Sequence, residues 1–121
     1  MSDMSQLPPN VQERIARLQQ LQGTMQQLLA QRQRLEAEEA ETERALKTLG
    51  ETPEGAKVYK SVGAVLVERD REAVVKELTE RKDFLEMRAK VLEKQEEKTK
   101  EKLEGLQQTL QKELGLPSQP S

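Results

Sequence analysis

Apolar residues recur in alternating steps of three and four along the first half of the chain, the spacing of a coiled-coil helix. The pattern covers residues 9–50 and is interrupted at three polar positions. Pro8 and Pro9 suit the start of a helix, and Gly50 suits its end. We therefore predict a first helix over residues 9–50. Its two seam rows are Val11, Leu18, Met25, Arg32, Glu39 and Leu46, and Leu21, Leu28, Leu35, Thr42 and Leu49.

The same spacing returns in the second half of the chain. Asp70 suits the N-cap of a helix, and Gly115 with Pro117 beyond it suits the end of one. We predict a second helix over residues 70–114. Its seam reads Val75, Leu78, Lys82, Leu85, Ala89, Leu92, Glu96, Thr99, Leu103, Leu106 and Leu110.

Two narrow seams joined by a short connection favour an antiparallel coiled coil within the chain. Residue i of the first helix then faces roughly residue 122 minus i of the second. Under this register Glu39 lies near Lys82, and the two could form a partly compensated pair. An alternative stays open, in which both side chains extend to solvent independently.

The connection, residues 51–69, loses the helical spacing and is rich in β-branched residues. We predict two short strands, 58–62 and 64–68, on either side of Gly63. Two strands alone are marginally stable, and their open edges can pair with another chain. The alternative is that the hairpin folds back onto its own helices. We expect it instead to mediate subunit assembly through Val58, Tyr59, Val62, Gly63, Val65, Leu66 and Val67.

Composition restricts the kind of function that the chain can have. Hydrophobic residues make up 34%, aromatic residues 2% and charged residues 35%, so a rounded core is not expected. Cysteine and histidine are absent, and we expect no enzyme activity, cofactor or metal site. Balanced charge argues against nucleic acid as a partner. With neither a membrane-spanning stretch nor a secretory signal evident, we expect a cytoplasmic location and no membrane partner.

A long helix, the hairpin VYKSVGAVLVE and a second long helix, preceded by LPPNVQ, follow one another along nearly the whole chain. This arrangement resembles a prefoldin β-type subunit, and the archaeal form most of all. The heptads are common to all coiled coils, whereas the pattern YK-x-VG-x-x-LV is fairly specific. It stands at Tyr59, Lys60, Val62, Gly63, Leu66 and Val67.

The resemblance implies the fold and the partners. It implies one mainly helical subunit over residues 1–121, with flexible ends at 1–8 and 115–121. Two α-type and four β-type subunits would form a hexamer whose hairpins build a β-barrel platform. The family holds unfolded client proteins without ATP and passes them to a group II chaperonin. The sequence has no Gly-rich phosphate-binding loop of Walker spacing, which agrees with the expectation that the chain acts without ATP.

The free ends of the two helices form the tip of the predicted hairpin and are rich in aliphatic residues. Gly23 and Gly105 fall near each other there and should weaken both helices. We expect an apolar, easily opened surface that binds clients weakly at each tip and tightly through several tips. The alternative is an ordinary coiled-coil core that stays shut. The candidate residues are Leu7, Val11, Ile15, Leu18, Leu103, Leu106, Leu110 and Leu114, with Leu116 beyond them.

A second class of function is also compatible with the heptads. A structural coiled coil, acting as a tether or adaptor, would hold two partners apart. It accounts for the helices but not for the β-hairpin. Light scattering distinguishes the two classes, because the tether should be a dimer and the chaperone a hexamer.

Overall fold

The computed structural model describes residues 6–115. Helix α1 spans Pro9–Glu51, strand β1 spans Val58–Val62, strand β2 spans Val65–Arg69 and helix α2 spans Arg71–Glu113. The strands form one antiparallel hairpin. The predicted fold of two long helices joined by a small β-hairpin is therefore confirmed.

The end of α1 differs from the expectation drawn from the sequence. Gly50 is helical rather than the residue that ends the helix, and α1 continues to Glu51. The first left-handed glycine after α1 is Gly55, with a φ of 85°. The Arg71 guanidinium donates a hydrogen bond of 2.5 Å to the carbonyl of Leu49. The same carbonyl accepts the Thr52 backbone N–H at 3.3 Å, so the Arg71 side chain adds a second hydrogen bond that ties the start of α2 to the end of α1.

The β-hairpin has a two-residue turn at Gly63 and Ala64. Val62 pairs with Val65 across it, so β2 begins one residue later than expected. Gly63 has a φ of 58° and occupies the first central position of the turn. This conformation strains any residue with a side chain, and a glycine there matches the geometry of a type II′ hairpin turn.

Residues 32–91 form one compact unit, made of the hairpin and the adjoining parts of both helices. Leu85 is buried in its seam, and Thr42 is buried beside the apolar residues. The Thr42 hydroxyl donates a 2.8 Å hydrogen bond to the Glu38 carbonyl one turn earlier. This local bond explains how a polar residue is tolerated in the seam.

Residues 6–31 and 92–115 belong to the other compact unit, where the free ends of α1 and α2 pack together. Its buried side chains are Val11, Leu28, Leu92, Thr99 and Leu110. Thr99 also donates its hydroxyl to the carbonyl one turn earlier, on Gln95, at 2.8 Å. Within residues 6–115, no helix has the length and apolar character needed to cross a bilayer.

Candidate interaction surfaces

The hairpin carries apolar side chains on both of its faces. Strand side chains alternate, and the cross-strand register determines which residues share a face. We call one the valine face, which holds Val58, Lys60, Val62, Val65, Val67 and Arg69. The other, the Leu66 face, holds Tyr59, Ser61, Leu66 and Glu68.

The helices of the same chain cover the hairpin mainly at its base, which we define as Val58 and Lys60. These two residues are half-buried, whereas the rest of the hairpin is exposed. The Lys60 ammonium forms an ion pair with Glu77 of α2, and its hydrogen bond lowers the pKa of that carboxyl. An open, mainly apolar cavity of about 420 Å³ lies beside β1 and is lined by Ala45, Leu49, Val58, Val74 and Leu78 among others.

The residues expected to mediate assembly therefore present a large uncovered apolar surface. Leu66 is 71% exposed and Val65 is 59% exposed, although both are among the most hydrophobic residue types. Tyr59, Val62 and Val67 are exposed too, and Gly63 forms the turn. Each strand also has one edge without a partner in this two-stranded sheet. Open edges and apolar side chains together suit a surface that another chain covers.

The residues expected at the tip lie together but are largely closed. Val11 and Leu110 are buried, and Leu114 is exposed. An ion pair between Arg14 and Glu113 joins the two helices at this end. Leu116 and most of the predicted flexible ends, 1–8 and 115–121, lie outside the described residues. The remaining tip residues are half-buried, namely Leu7, Ile15, Leu18, Leu103 and Leu106.

Glu39 of α1 is a carboxylate in the seam. Its Oε1 atom is buried and has no hydrogen-bond partner. Lys82 lies close enough for its charge to act on Glu39, as expected, but its ammonium is nearest to Glu43, at 3.9 Å, and Glu86, at 4.0 Å. Burial, and then the charges of Glu86, Glu43 and Glu36, raise the pKa of Glu39, while Lys82 lowers it less.

A surface that the sequence reasoning missed lies on α2. Phe84, Met87 and Val91 are exposed and are spaced three and four residues apart. Residues at this spacing lie along one side of a helix. They are not in the seam that was used to predict the helix, so a search for a second apolar row on α2 could have found them.

Among residues 6–115, no group of three or more acidic side chains is arranged to hold a metal ion. The features that stand out are surfaces: the β-hairpin, the tip and the apolar row on α2. A chain with such surfaces belongs to the class of assembling coiled-coil subunits, because its most exposed apolar side chains are those of a hairpin that cannot bury them alone.

Comparison with known proteins identifies the family. The family model for a prefoldin subunit matches residues 12–116. Prefoldin subunit beta of Archaeoglobus fulgidus is 46% identical over 89% of this chain and 93% of its own length. That of Pyrobaculum islandicum is 41% identical over 92% of this chain and 89% of its own. The chain belongs to the prefoldin subunit family and is a chaperone subunit.

The fold agrees with this assignment. The crystal structure of the prefoldin beta subunit from Thermococcus strain KS-1 superposes with a TM-score of 0.82 at 35% sequence identity. The match covers 97% of this chain and 100% of that one. The resemblance noted from the VYKSVGAVLVE hairpin is therefore confirmed.

Proposed function

We propose that the chain is a β-type subunit of a cytoplasmic hexamer with two α-type and four β-type subunits. The hexamer holds unfolded proteins without ATP and passes them to a group II chaperonin. The observation that carries this proposal is the β-hairpin, which is apolar on both faces, open at both edges and covered by its own helices only at the base.

The hairpin supports assembly into a closed sheet. Leu66 and Val65 lie on opposite faces of the hairpin. An element that packs on one face therefore leaves the apolar residues of the other face exposed. Fully burying one such side chain contributes roughly 1.5–3 kcal/mol. A barrel built from several hairpins pairs the free edges and gives one face a shared interior. The outer face is then available to pack against neighbouring elements of the platform.

The tip supports weak, sequence-tolerant binding of clients. Most of its aliphatic residues are half-buried, only Val11 and Leu110 among them are buried, and Leu114 is exposed at the end of α2. Opening the last turns of the two helices exposes more leucine and isoleucine. Each tip then binds weakly, and several tips bound to one client give a much tighter complex.

The decisive experiment mixes the chain with an α-type subunit. We expect light scattering to give the mass of a hexamer, and the hexamer to suppress aggregation of a chemically denatured model protein without ATP. A dimer without suppression would support the tether function instead. As a further arm, removal of residues 1–15 and 106–121 should leave the hexamer intact and abolish suppression. Full suppression by the trimmed hexamer would contradict the assignment of client binding to the tip.

A further inference from the structure

An apolar row on α2 faces away from the seam. It consists of Phe84, Met87 and Val91, and we call it the α2 stripe. Their side chains are 46%, 56% and 38% exposed, whereas the neighbouring seam residue Leu85 is 1% exposed. The stripe is therefore largely uncovered by α1, because it lies on a different side of α2 from Leu85, which is buried in the seam.

The phenylalanine of the stripe is held at the surface by its neighbours. The Arg81 guanidinium carbon lies 5.4 Å from the centre of the Phe84 ring. The same guanidinium donates a 2.6 Å hydrogen bond to Glu38 of α1. Since Glu38 positions Arg81 and Arg81 stacks on the ring, Phe84 is presented outward in an ordered position. Ordering before binding lowers the entropy that a partner must overcome.

The size of the stripe excludes a stable folded partner. Three apolar side chains cover far less than the roughly 800 Å² per partner of a stable interface. A second copy packed here would therefore not form a lasting dimer through this surface alone. The stripe instead suits a weak contact that gains strength by repetition over several subunits. Methionine also adapts its shape to different apolar partners.

The charges around the stripe narrow the choice of partner. Glu80 and Asp83 flank its beginning, and Arg88 and Lys90 flank its end, all four exposed. A nucleic acid would be repelled by the acidic pair. An unfolded polypeptide carries apolar residues together with charges of both signs. Its apolar side chains can cover the stripe while its charged side chains pair with the acidic and basic flanks.

We infer that the α2 stripe binds apolar segments of unfolded polypeptide, as a second client contact separate from the tip. This inference rests on the proposed holdase function and extends it from the ends of the helices to the residues nearer the hairpin. One segment in extended form, with two or three apolar side chains, is enough to cover the stripe.

The test uses the assembled hexamer with a chemically denatured model protein as the client. Glutamine replaces all three residues in F84Q/M87Q/V91Q, because glutamine keeps the helix while removing the apolar surface. We expect capture of the client to weaken about tenfold. L29Q is the matched control, since Leu29 is an exposed apolar residue of α1. It should capture the client as the wild type does.

A photocrosslinking residue tests the contact without altering the rest of the stripe. Placed at Met87 it should crosslink to the client, and placed at Glu86, on another side of α2, it should crosslink much less. If the wild type captures the client and the triple variant captures it equally well, the α2 stripe is not a client contact. The proposed holdase function is unaffected by that result. Loss of the hexamer, or crosslinks to another subunit instead of the client, would show that the stripe is a subunit contact. A wild type that captures no client would refute the proposed function itself.

Discussion

At the scale of single residues, Thr42 and Glu39 are two polar residues in the seam of α1, one with a local hydrogen-bond partner and one without. Thr42 bonds the carbonyl one turn before it, so its hydroxyl is satisfied within α1. The buried Oε1 of Glu39 has no such partner, and three other glutamates are near it. A charged group that loses water without gaining a hydrogen bond reduces stability.

Replacing Glu39 by leucine should therefore stabilise the protein. E39L continues the apolar row and removes the unpaired carboxylate, and we expect a gain of about 1–2 kcal/mol. Thermal unfolding followed by circular dichroism, at matched protein concentration, measures it. E41L is the control, because Glu41 is an exposed glutamate of α1 that is not among the charges acting on Glu39. An equal gain in E41L would mean that the effect comes from leucine in the helix rather than from the seam.

The raised pKa of Glu39 also gives stability a dependence on pH. The folded protein holds this proton more tightly than the unfolded chain, whose glutamates titrate near 4.5. The resulting stabilisation is fully present below 4.5 and is lost as pH rises through the higher pKa of the folded state. As pH rises above 4.5, wild type should thus lose stability relative to E39Q. Parallel pH profiles of the two proteins, measured by urea unfolding, would refute this.

At the scale of elements, the hairpin is where the chain departs from a simple coiled coil. Its alternation places valines on one face and Leu66 with Tyr59 on the other. The connection to α2 is reinforced by the ion pair of Lys60 with Glu77. Exposed ion pairs contribute little to stability, so this one orients the base of the hairpin more than it stabilises it.

Leu66 should be a determinant of assembly rather than of the fold of the subunit. It is the most exposed of the large apolar residues among 6–115, at 71%, so L66D loses little packing within the chain. In the proposed β-barrel platform, the aspartate of L66D would place a charge in a buried position. We therefore expect loss of the hexamer with unchanged helix content. Mass by light scattering and circular dichroism together measure this. L66M, which stays apolar, should assemble normally; a hexamer formed by L66D would contradict the role of the Leu66 face.

Much of the fold could be predicted because its signals are local. The period of the seam shows in the sequence itself, and Gly63 marks the turn. The exact start of β2 could not be predicted, since it depends on the pairing of Val62 with Val65. Nor could the partner of Lys82, which is decided by side-chain positions between Glu43 and Glu86. The α2 stripe was missed because the seam pattern alone explained that helix.

At the scale of the whole molecule, weak surfaces become effective through their number. If the tips bind clients as we propose, each half-closed tip contributes weak affinity, and several tips bound to one client raise the overall affinity through their effective concentration. Such a tip must open easily, and glycine in a helix is one way to allow this. Gly23 and Gly105 are both helical and both belong to the unit that holds the tip.

Alanine at these two glycines should close the tip more firmly. A Cβ atom at Gly23 or Gly105 meets no side chain and no other element of the chain within 4 Å, so the effect is on the helix and not on packing. Each change should stabilise its helix by about 0.4–1 kcal/mol. If the tip binds clients by opening, G23A/G105A should capture a denatured model protein several-fold more weakly while amide exchange at the tip slows.

Gly50 provides the matched control, because it is helical, has equally open surroundings and lies in the unit that holds the hairpin. G50A should stabilise α1 to a similar extent and leave client capture unchanged. Equal losses of capture in G50A and G23A/G105A would indicate that overall rigidity matters. Unchanged capture in the double variant, with slower exchange at its tip, would show that the tip binds clients while closed.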